Sequence, residues 1–121
     1  MADRFDLFSD LEFRGLVHQI TDAELPALLR SDSLTAYIGF DPTADSLHVG
    51  SLLPILLLRR LQLAGHRPIA LAGGGTGLIG DPSGKETERA LMTDEEVRAN
   101  IAGIRDQLGR FLDFDPGPGQ A

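Results

Sequence analysis

The chain has 121 residues, enough for about one domain that buries roughly two thirds of its unfolded-chain surface. Its hydrophobic share of 42% and charged share of 24% exclude a disordered segment, and the absence of cysteine excludes thiolate nucleophiles, disulfides and Cys-based zinc sites. The 18 acidic and 11 basic residues give a net charge of −7, so no overall positive field recruits nucleic acid or anionic membranes. Glycine is concentrated: nine of the 14 glycines lie between Gly39 and Gly84.

The amino terminus carries no pattern typical of secretion or membrane insertion. MADRFDLFSD has neither a basic region nor an apolar core, and the longest apolar run, residues 52–58, has seven residues. A membrane span needs about 20 apolar residues. We therefore expect a cytoplasmic protein that does not enter a membrane.

Apolar spacing predicts two short helices and a strand in the first third of the chain. Residues 4–17 have helical periodicity, with Gly15 ending the helix. Thr21, with Glu24 three residues later, predicts a capping box at the start of the second helix. Residues 34–40, LTAYIGF, are rich in β-branched and aromatic side chains and predict a buried strand.

The middle of the chain predicts a crossover between parallel strands. Residues 48–64 form an amphipathic helix that must begin near Val49 or Gly50, because Pro54 is tolerated only in a first turn, and Gly65 ends it. A second strand at 67–72, a glycine-rich loop at 73–84 and a helix capped by Thr93 and Glu96 follow. This order predicts an α/β fold in which ligands bind at the carboxyl ends of parallel strands.

Three phosphate-binding patterns compete at those strand ends. Residues 75–80 match GxGxxG, but Asp-Pro follows where a dinucleotide site needs a helix. A P-loop ending at Lys85 lacks the first glycine, whose position Ile79 occupies, and the Ser or Thr after the lysine. The third possibility is the start of the long helix, where His48 can donate to a phosphate oxygen and Gly50 lets a ligand approach the backbone.

The full strings favour the third possibility. YIGFDPTADSLHVGS and GHRPIALAGGGTGLIGDPSGKETER resemble bacterial tyrosyl-tRNA synthetases, and residues 48–51 look like the HIGH motif of class I aminoacyl-tRNA synthetases. Residues 14–22 and 111–115 are similar to the same family, so the resemblance covers nearly the whole chain. It implies an incomplete Rossmann-like nucleotide-binding fold with amino-terminal helices: a helical segment at 1–33, half of the catalytic domain at 34–114, and a linker or truncated end at 115–121.

The resemblance also implies an activity and its residues. The family activates L-tyrosine with ATP, and Mg²⁺ is expected with the nucleotide, before transferring tyrosine to tRNA(Tyr). By similarity, the catalytic residues are Thr43, His48, Lys85 and Arg89. ATP would be bound by Gly39, Asp41, His48, Gly50 and Ser51, and tyrosine by Tyr37, Thr76 and Asp81. No protein-ligated metal is expected, and His18 and His66 match no catalytic position.

Two departures limit what the resemblance implies. Ser51 stands where the HIGH motif has its second histidine, so ribose binding is expected to be weakened or rearranged. A KMSKS-like loop is impossible in a chain whose only lysine is Lys85, and the family's homodimer-forming and anticodon-binding regions are also missing. We therefore expect an amino-terminal fragment that is inactive alone; the alternative is a stand-alone module that binds nucleotide or tyrosine for another purpose.

Overall fold

The computed structural model describes residues 6–42, 44–73 and 93–115. The helices are α1 (Leu7–Phe13), α2 (Leu25–Ser31), α3 (Leu52–Leu63) and α4 (Asp94–Leu108). The strands are β1 (Thr35–Phe40) and β2 (Arg67–Ala72), and a 3₁₀ turn, Val49–Ser51, leads directly into α3. No described helix is long and apolar enough to cross a membrane.

The two strands form a parallel pair joined by α3, which confirms the predicted crossover. Their register runs from Thr35 opposite Arg67 to Phe40 opposite Ala72. The Gly73 N–H donates to the Phe40 carbonyl at 2.9 Å, so the pairing continues one residue past β2. Because both strands run in the same direction, their carboxyl ends share one edge of the sheet.

One face of this sheet packs on the core and the other is open in the described structure. Phe40 is buried in the core, with Ala36, Ile38 and Ala70 packed against it. The main contributors from the helices are Leu7 and Leu11 of α1, Ile55, Leu58 and Leu61 of α3, and Ile104 and Leu108 of α4. Leu58 is completely buried, and removing a side chain of this kind from water contributes about 1.5–3 kcal/mol.

Glycines end two helices as predicted. Gly15 follows α1 with a φ of +69°, and Gly65 follows α3 with a φ of +91°, a region that side-chain-bearing residues rarely adopt. The residue after each glycine donates its backbone N–H to the carbonyl five residues earlier: Leu16 to Leu11 at 2.9 Å, and His66 to Leu61 at 2.9 Å. At the other end of α3, Pro54 lies in the first turn, and the 3₁₀ turn begins at Val49 as the proline predicted.

One predicted cap is confirmed and one is wrong. The Thr93 hydroxyl accepts from the Glu96 N–H at 3.1 Å, and the Glu96 carboxylate accepts from the Thr93 N–H at 2.8 Å, which is the predicted capping box of α4. The box expected at Thr21 is absent, because α2 begins at Leu25 and Asp22 instead accepts from the Glu24 N–H at 2.8 Å. Proline in its first turn delays the start of α2, since proline is accommodated only there.

His66 is a packing residue. It is 1% exposed, and its Nδ1 accepts from the Leu34 N–H at 3.0 Å. Next to it, the Ser33 hydroxyl donates to the Gly65 carbonyl at 2.8 Å and the Arg67 N–H donates to the Leu34 carbonyl at 2.8 Å. The turn between α3 and β2 is thus tied to the residues that precede β1, which brings the two strands into register. His18 is exposed.

Candidate functional site

The open sheet face carries two of the residues predicted to line a ligand cleft. Tyr37 and Gly39 are two residues apart on β1 and therefore point to the same side. Tyr37 is 71% exposed, and its register partner Ile69 and the neighbouring Leu71 are 41% and 49% exposed. A Cβ built on Gly39 meets no described atom within 4 Å, so the described packing does not require glycine there. The result is an accessible apolar surface with one phenol, next to the carboxyl end of β1.

The loop between β1 and the 3₁₀ turn, residues 41–48, brings the chain from this strand end to His48. We call it the β1–α3 loop; all of it except Thr43 is described. Asp41 is exposed and Pro42 is buried. The loop therefore places Asp41 at the end of β1 and His48 at the start of α3, the two places where ligands of parallel α/β folds bind.

His48 is the residue that begins the helical segment. Its side chain is exposed, and its Nδ1 accepts from the Gly50 N–H at 3.0 Å. A neutral imidazole that accepts at Nδ1 carries its proton on Nε2. The hydrogen bond therefore leaves Nε2–H as a donor for a ligand at the amino end of α3.

The His48 ring occupies the space in which a Cβ at residue 50 would lie. A Cβ at residue 50 would lie 2.8 Å from His48 Cε1 and 2.9 Å from Nδ1, closer than such atoms approach in proteins. Glycine thus lets the imidazole fold over the backbone N–H that holds it. From the sequence, we expected Gly50 to leave room for a ligand. The geometry adds a second role, the close contact between Gly50 and the His48 ring.

The backbone at this point favours an anion. Aligned peptide dipoles place about half a positive charge at a helix amino terminus. The Gly50 and Ser51 N–H groups already donate to His48, so the attraction here comes from the dipoles and from the His48 side chain. Ser51 is half-buried, and its N–H donates to the His48 carbonyl at 2.9 Å, so the 3₁₀ turn closes before α3 continues for 12 residues. A cleft of about 260 Å³ opens beside this turn, lined partly by His48, Leu52 and Phe111. The arrangement can bind a phosphate at the helix start and an apolar or aromatic group beside it.

Helix α4 contributes residues that sequence reasoning missed. Asn100 donates from Nδ2 to the Pro42 carbonyl at 3.0 Å, and Gln107 binds the loop at Leu47. The available signal was their spacing: positions 100, 103 and 107 repeat as one helix face, while Val97, Ile104 and Leu108 form the adjacent buried face. Periodicity marks such a face but does not say what it contacts.

The remaining predicted site residues lie outside the described residues. These are Thr43, Thr76, Asp81, Lys85 and Arg89. The predicted glycine-rich loop at 73–84 lies there too, except for Gly73. The structure therefore places Tyr37 and Gly39 on the open face of β1, with Asp41 directly after the strand. It places His48, Gly50 and Ser51 at the turn that leads into α3. Within the parts of the chain described, no three acidic or histidine side chains cluster as metal ligands do.

The family of tRNA synthetases class I (W and Y) matches residues 29–116 of this chain. Among individual proteins, the tyrosine–tRNA ligase of Geobacillus stearothermophilus is 61% identical over 111 residues, and tyrosine–tRNA ligase 1 of Bacillus licheniformis is 63% identical over 110 residues. The matches cover 91% and 90% of this chain, which spans 26% of the length of each relative.

Two solved structures have a similar fold. Both are C-terminally truncated mitochondrial tyrosyl-tRNA synthetases. The Aspergillus nidulans protein has a TM-score of 0.76 at 32% identity, and the Coccidioides posadasii protein 0.72 at 38% identity. Each comparison covers 90% of this chain, and 31% and 29% of the respective solved chain.

Proposed function

This chain belongs to the family of tRNA synthetases class I (W and Y), with an incomplete Rossmann-like fold, and on that premise we propose that it forms part of the active site of a tyrosine–tRNA ligase. The proposed enzyme activates L-tyrosine with ATP and passes the tyrosyl group to tRNA(Tyr). Its tyrosine-ligase relatives at about 60% identity support tyrosine over tryptophan.

The observation that carries the proposal is the His48 arrangement at the start of α3. In the activation step, a tyrosine carboxylate oxygen forms a bond to the α-phosphorus of ATP, and the bond from that phosphorus to the bridging oxygen breaks, releasing pyrophosphate. No covalent enzyme intermediate is needed, so catalysis consists of positioning and of stabilising charge on the phosphates. His48, with Nδ1 held by the Gly50 N–H, would offer Nε2–H to the departing phosphates.

The proposed tyrosine site begins at Tyr37. Its side chain is exposed on the open sheet face, and by similarity its phenol would hydrogen-bond the substrate hydroxyl. A site built to bond a substrate hydroxyl rejects the analogue that lacks it, a selectivity for which this enzyme family, tested against phenylalanine, is the standard example. Asp81 would bind the substrate ammonium and Thr76 would line the same cleft, by similarity of their motif alone.

The other proposed contacts complete the ATP site. Thr43, Lys85 and Arg89 would bind the β- and γ-phosphates, and Mg²⁺ would enter with ATP as part of the substrate. Gly39, Asp41, Gly50 and Ser51 would contact the adenosine. A cytoplasmic location and a homodimer belong to the same proposal, and both rest on the resemblance to bacterial relatives.

The test uses a chimera in which this chain replaces the matching segment of the Geobacillus stearothermophilus ligase, because the chain spans only 26% of that protein. The readout is tyrosine-dependent exchange of pyrophosphate into ATP. We expect His48→Ala to lower the exchange rate by about 10²–10³, with the tyrosine KM nearly unchanged. His18→Ala, at an exposed histidine outside the proposed site, is the matched control and should leave the rate unchanged.

Two results would contradict the proposal. If His48→Ala weakened tyrosine binding and left the exchange rate unchanged, His48 would belong to the amino-acid site. If His48→Ala and His18→Ala changed the exchange rate equally, His48 would have no specific role in the activation step. Binding of ATP or tyrosine without any exchange would favour the alternative, a stand-alone binding module.

A further inference from the structure

We propose that Gln107, together with Asn100 and Gly103, positions the β1–α3 loop and thereby sets the location of His48. All three belong to one face of α4, and none is among the proposed substrate-binding residues, although Gln107 also lines the cleft beside the 3₁₀ turn. Their importance for catalysis rests on the function proposed above. Their effect on the loop does not, and it can be measured separately.

Gln107 holds the loop at the residue directly before His48. Its Oε1 accepts from the Leu47 N–H at 2.7 Å, and its Nε2 donates to the Ser46 hydroxyl at 2.8 Å. The Ser46 hydroxyl in turn donates to the Leu47 carbonyl at 3.0 Å. One amide side chain thus binds two consecutive loop residues, one through its backbone and one through its side chain.

The other two residues of this face fix the loop further back. Asn100 donates to the Pro42 carbonyl at 3.0 Å, where the loop leaves β1. Between these two points, the Asp45 carbonyl oxygen lies against Gly103 so closely that a Cβ there would collide with it. The contacts follow the loop in chain order, from Asn100 at Pro42 to Gly103 at Asp45 and Gln107 at Leu47.

This arrangement bears on catalysis because the described residues of the loop lie outside any helix or strand. Residues 44–46 are exposed, and the segment belongs to neither β1 nor α3. Helix α4, by contrast, is anchored in the core through Ile104 and Leu108, at 1% and 3% exposure. A loop held to a rigid helix at three points keeps the following side chain in place, and displacement of a catalytic group by about 1 Å costs about 10²-fold in rate.

The test compares Gln107→Leu with Gln62→Leu. Gln62 is a matched control: its Nε2 donates to the Asp113 carbonyl at 2.9 Å and its Oε1 accepts from the Asp113 N–H at 3.0 Å, so it also makes two hydrogen bonds, but to a segment away from the loop. A third variant, Gln107→Glu, keeps an acceptor for the Leu47 N–H. Hydrogen exchange is measured on the 121-residue chain, and tyrosine-dependent pyrophosphate exchange on the chimera.

We expect Gln107→Leu to speed exchange of the Leu47 amide by about 3- to 10-fold, since one net hydrogen bond is lost. The turnover number should fall about 10-fold with the tyrosine KM within about two-fold, since the loss acts on His48 and not on the tyrosine site. Gln107→Glu should recover most of that rate. Gln62→Leu should lower the melting temperature by a similar amount while changing neither Leu47 exchange nor turnover.

Equal turnover in the Gln107→Leu and Gln62→Leu chimeras would overturn the positioning role, and so would unchanged Leu47 exchange in Gln107→Leu. An inactive parent chimera would count against the proposed function alone. In that case, Leu47 exchange still decides whether α4 holds the loop.

Discussion

Replacing Gly50 with alanine separates two roles for this residue. The structure holds the His48 ring against the Gly50 N–H at 3.0 Å, in the space where a Cβ would otherwise lie. Alanine should therefore displace the imidazole while leaving the core untouched. Sequence reasoning alone assigns Gly50 to the approach of ATP, a role in which alanine would act on the nucleotide directly.

The size of the effect follows from the contact distances. The alanine Cβ would lie 2.8 Å from His48 Cε1, whereas ordinary van der Waals contact begins at 3.4 Å, so the ring must move by about 0.6 Å and its hydrogen bond to the Gly50 N–H lengthens. A displacement of that size corresponds to a rate loss of about 10- to 100-fold. Stability should not fall, because alanine is favoured over glycine in helical turns by up to about 1 kcal/mol and the ring is the free end of a side chain.

The assay is a double-mutant cycle in the chimera, with His48→Ala, Gly50→Ala and the double variant measured for turnover and for the KM of ATP. If Gly50 acts through His48, alanine at position 50 has no further effect once the imidazole is gone, and the coupling is large. Thermal unfolding of each variant serves as the control for folding.

Additive losses in the cycle, with a raised KM for ATP, would show that Gly50 does not act through His48 and would support its direct role at the nucleotide. Full activity of Gly50→Ala would refute both roles.

Two further predictions concern stability of the 121-residue chain. His66→Leu should lower the free energy of unfolding by about 0.5–1.5 kcal/mol in urea denaturation, because it removes the 3.0 Å acceptor of the part-buried Leu34 N–H; an unchanged midpoint would contradict this. The Ser9 N–H and then Arg30 hold the pKa of Asp6 below its ordinary value of 3.8, so its stabilising contribution is present above about pH 3.8 and is lost as pH falls through the folded-state pKa. Between about pH 5 and about pH 3, the free energy of unfolding should therefore fall less in Asp6→Asn than in the parent. An equal fall in both proteins would exclude this contribution.

Local signals in the sequence predicted most of the described elements. Positive φ values require glycine at positions 15 and 65, and both helices end there. Proline at position 54 restricts where α3 can begin, and the capping box at Thr93 uses side chains three residues apart. Each of these signals acts within a few residues, so it can be read without the tertiary structure.

A local signal of the same kind gave a wrong prediction at the start of α2, where two side chains could accept the same backbone N–H. Thr21 and Glu24 have the spacing of a capping box, but Asp22 accepts the Glu24 N–H and α2 starts only at Leu25, with proline in its first turn. A carboxylate two residues before a backbone N–H competes directly with the hydroxyl three residues away. Spacing alone does not decide between them.

The supporting contacts of the candidate site were beyond sequence reasoning for a different reason. Gln107 lies 60 positions from Leu47 in the chain, and the contact exists only because α4 crosses the β1–α3 loop. Likewise, the hydrogen bond from the Gly50 N–H to His48 depends on a side-chain rotation that no pattern specifies. Motif resemblance identified His48 and Gly50, and the geometry shows how one holds the other.

Pyrophosphate exchange by the unsubstituted chimera, measured with tyrosine, with tryptophan and with neither amino acid, tests whether this chain helps to activate tyrosine. The Geobacillus stearothermophilus ligase, 61% identical over the matched segment, is the reference. We expect exchange with tyrosine within about ten-fold of that reference and none with tryptophan or without an amino acid. A folded chimera that exchanges with tryptophan, or that exchanges with neither amino acid, would contradict this expectation.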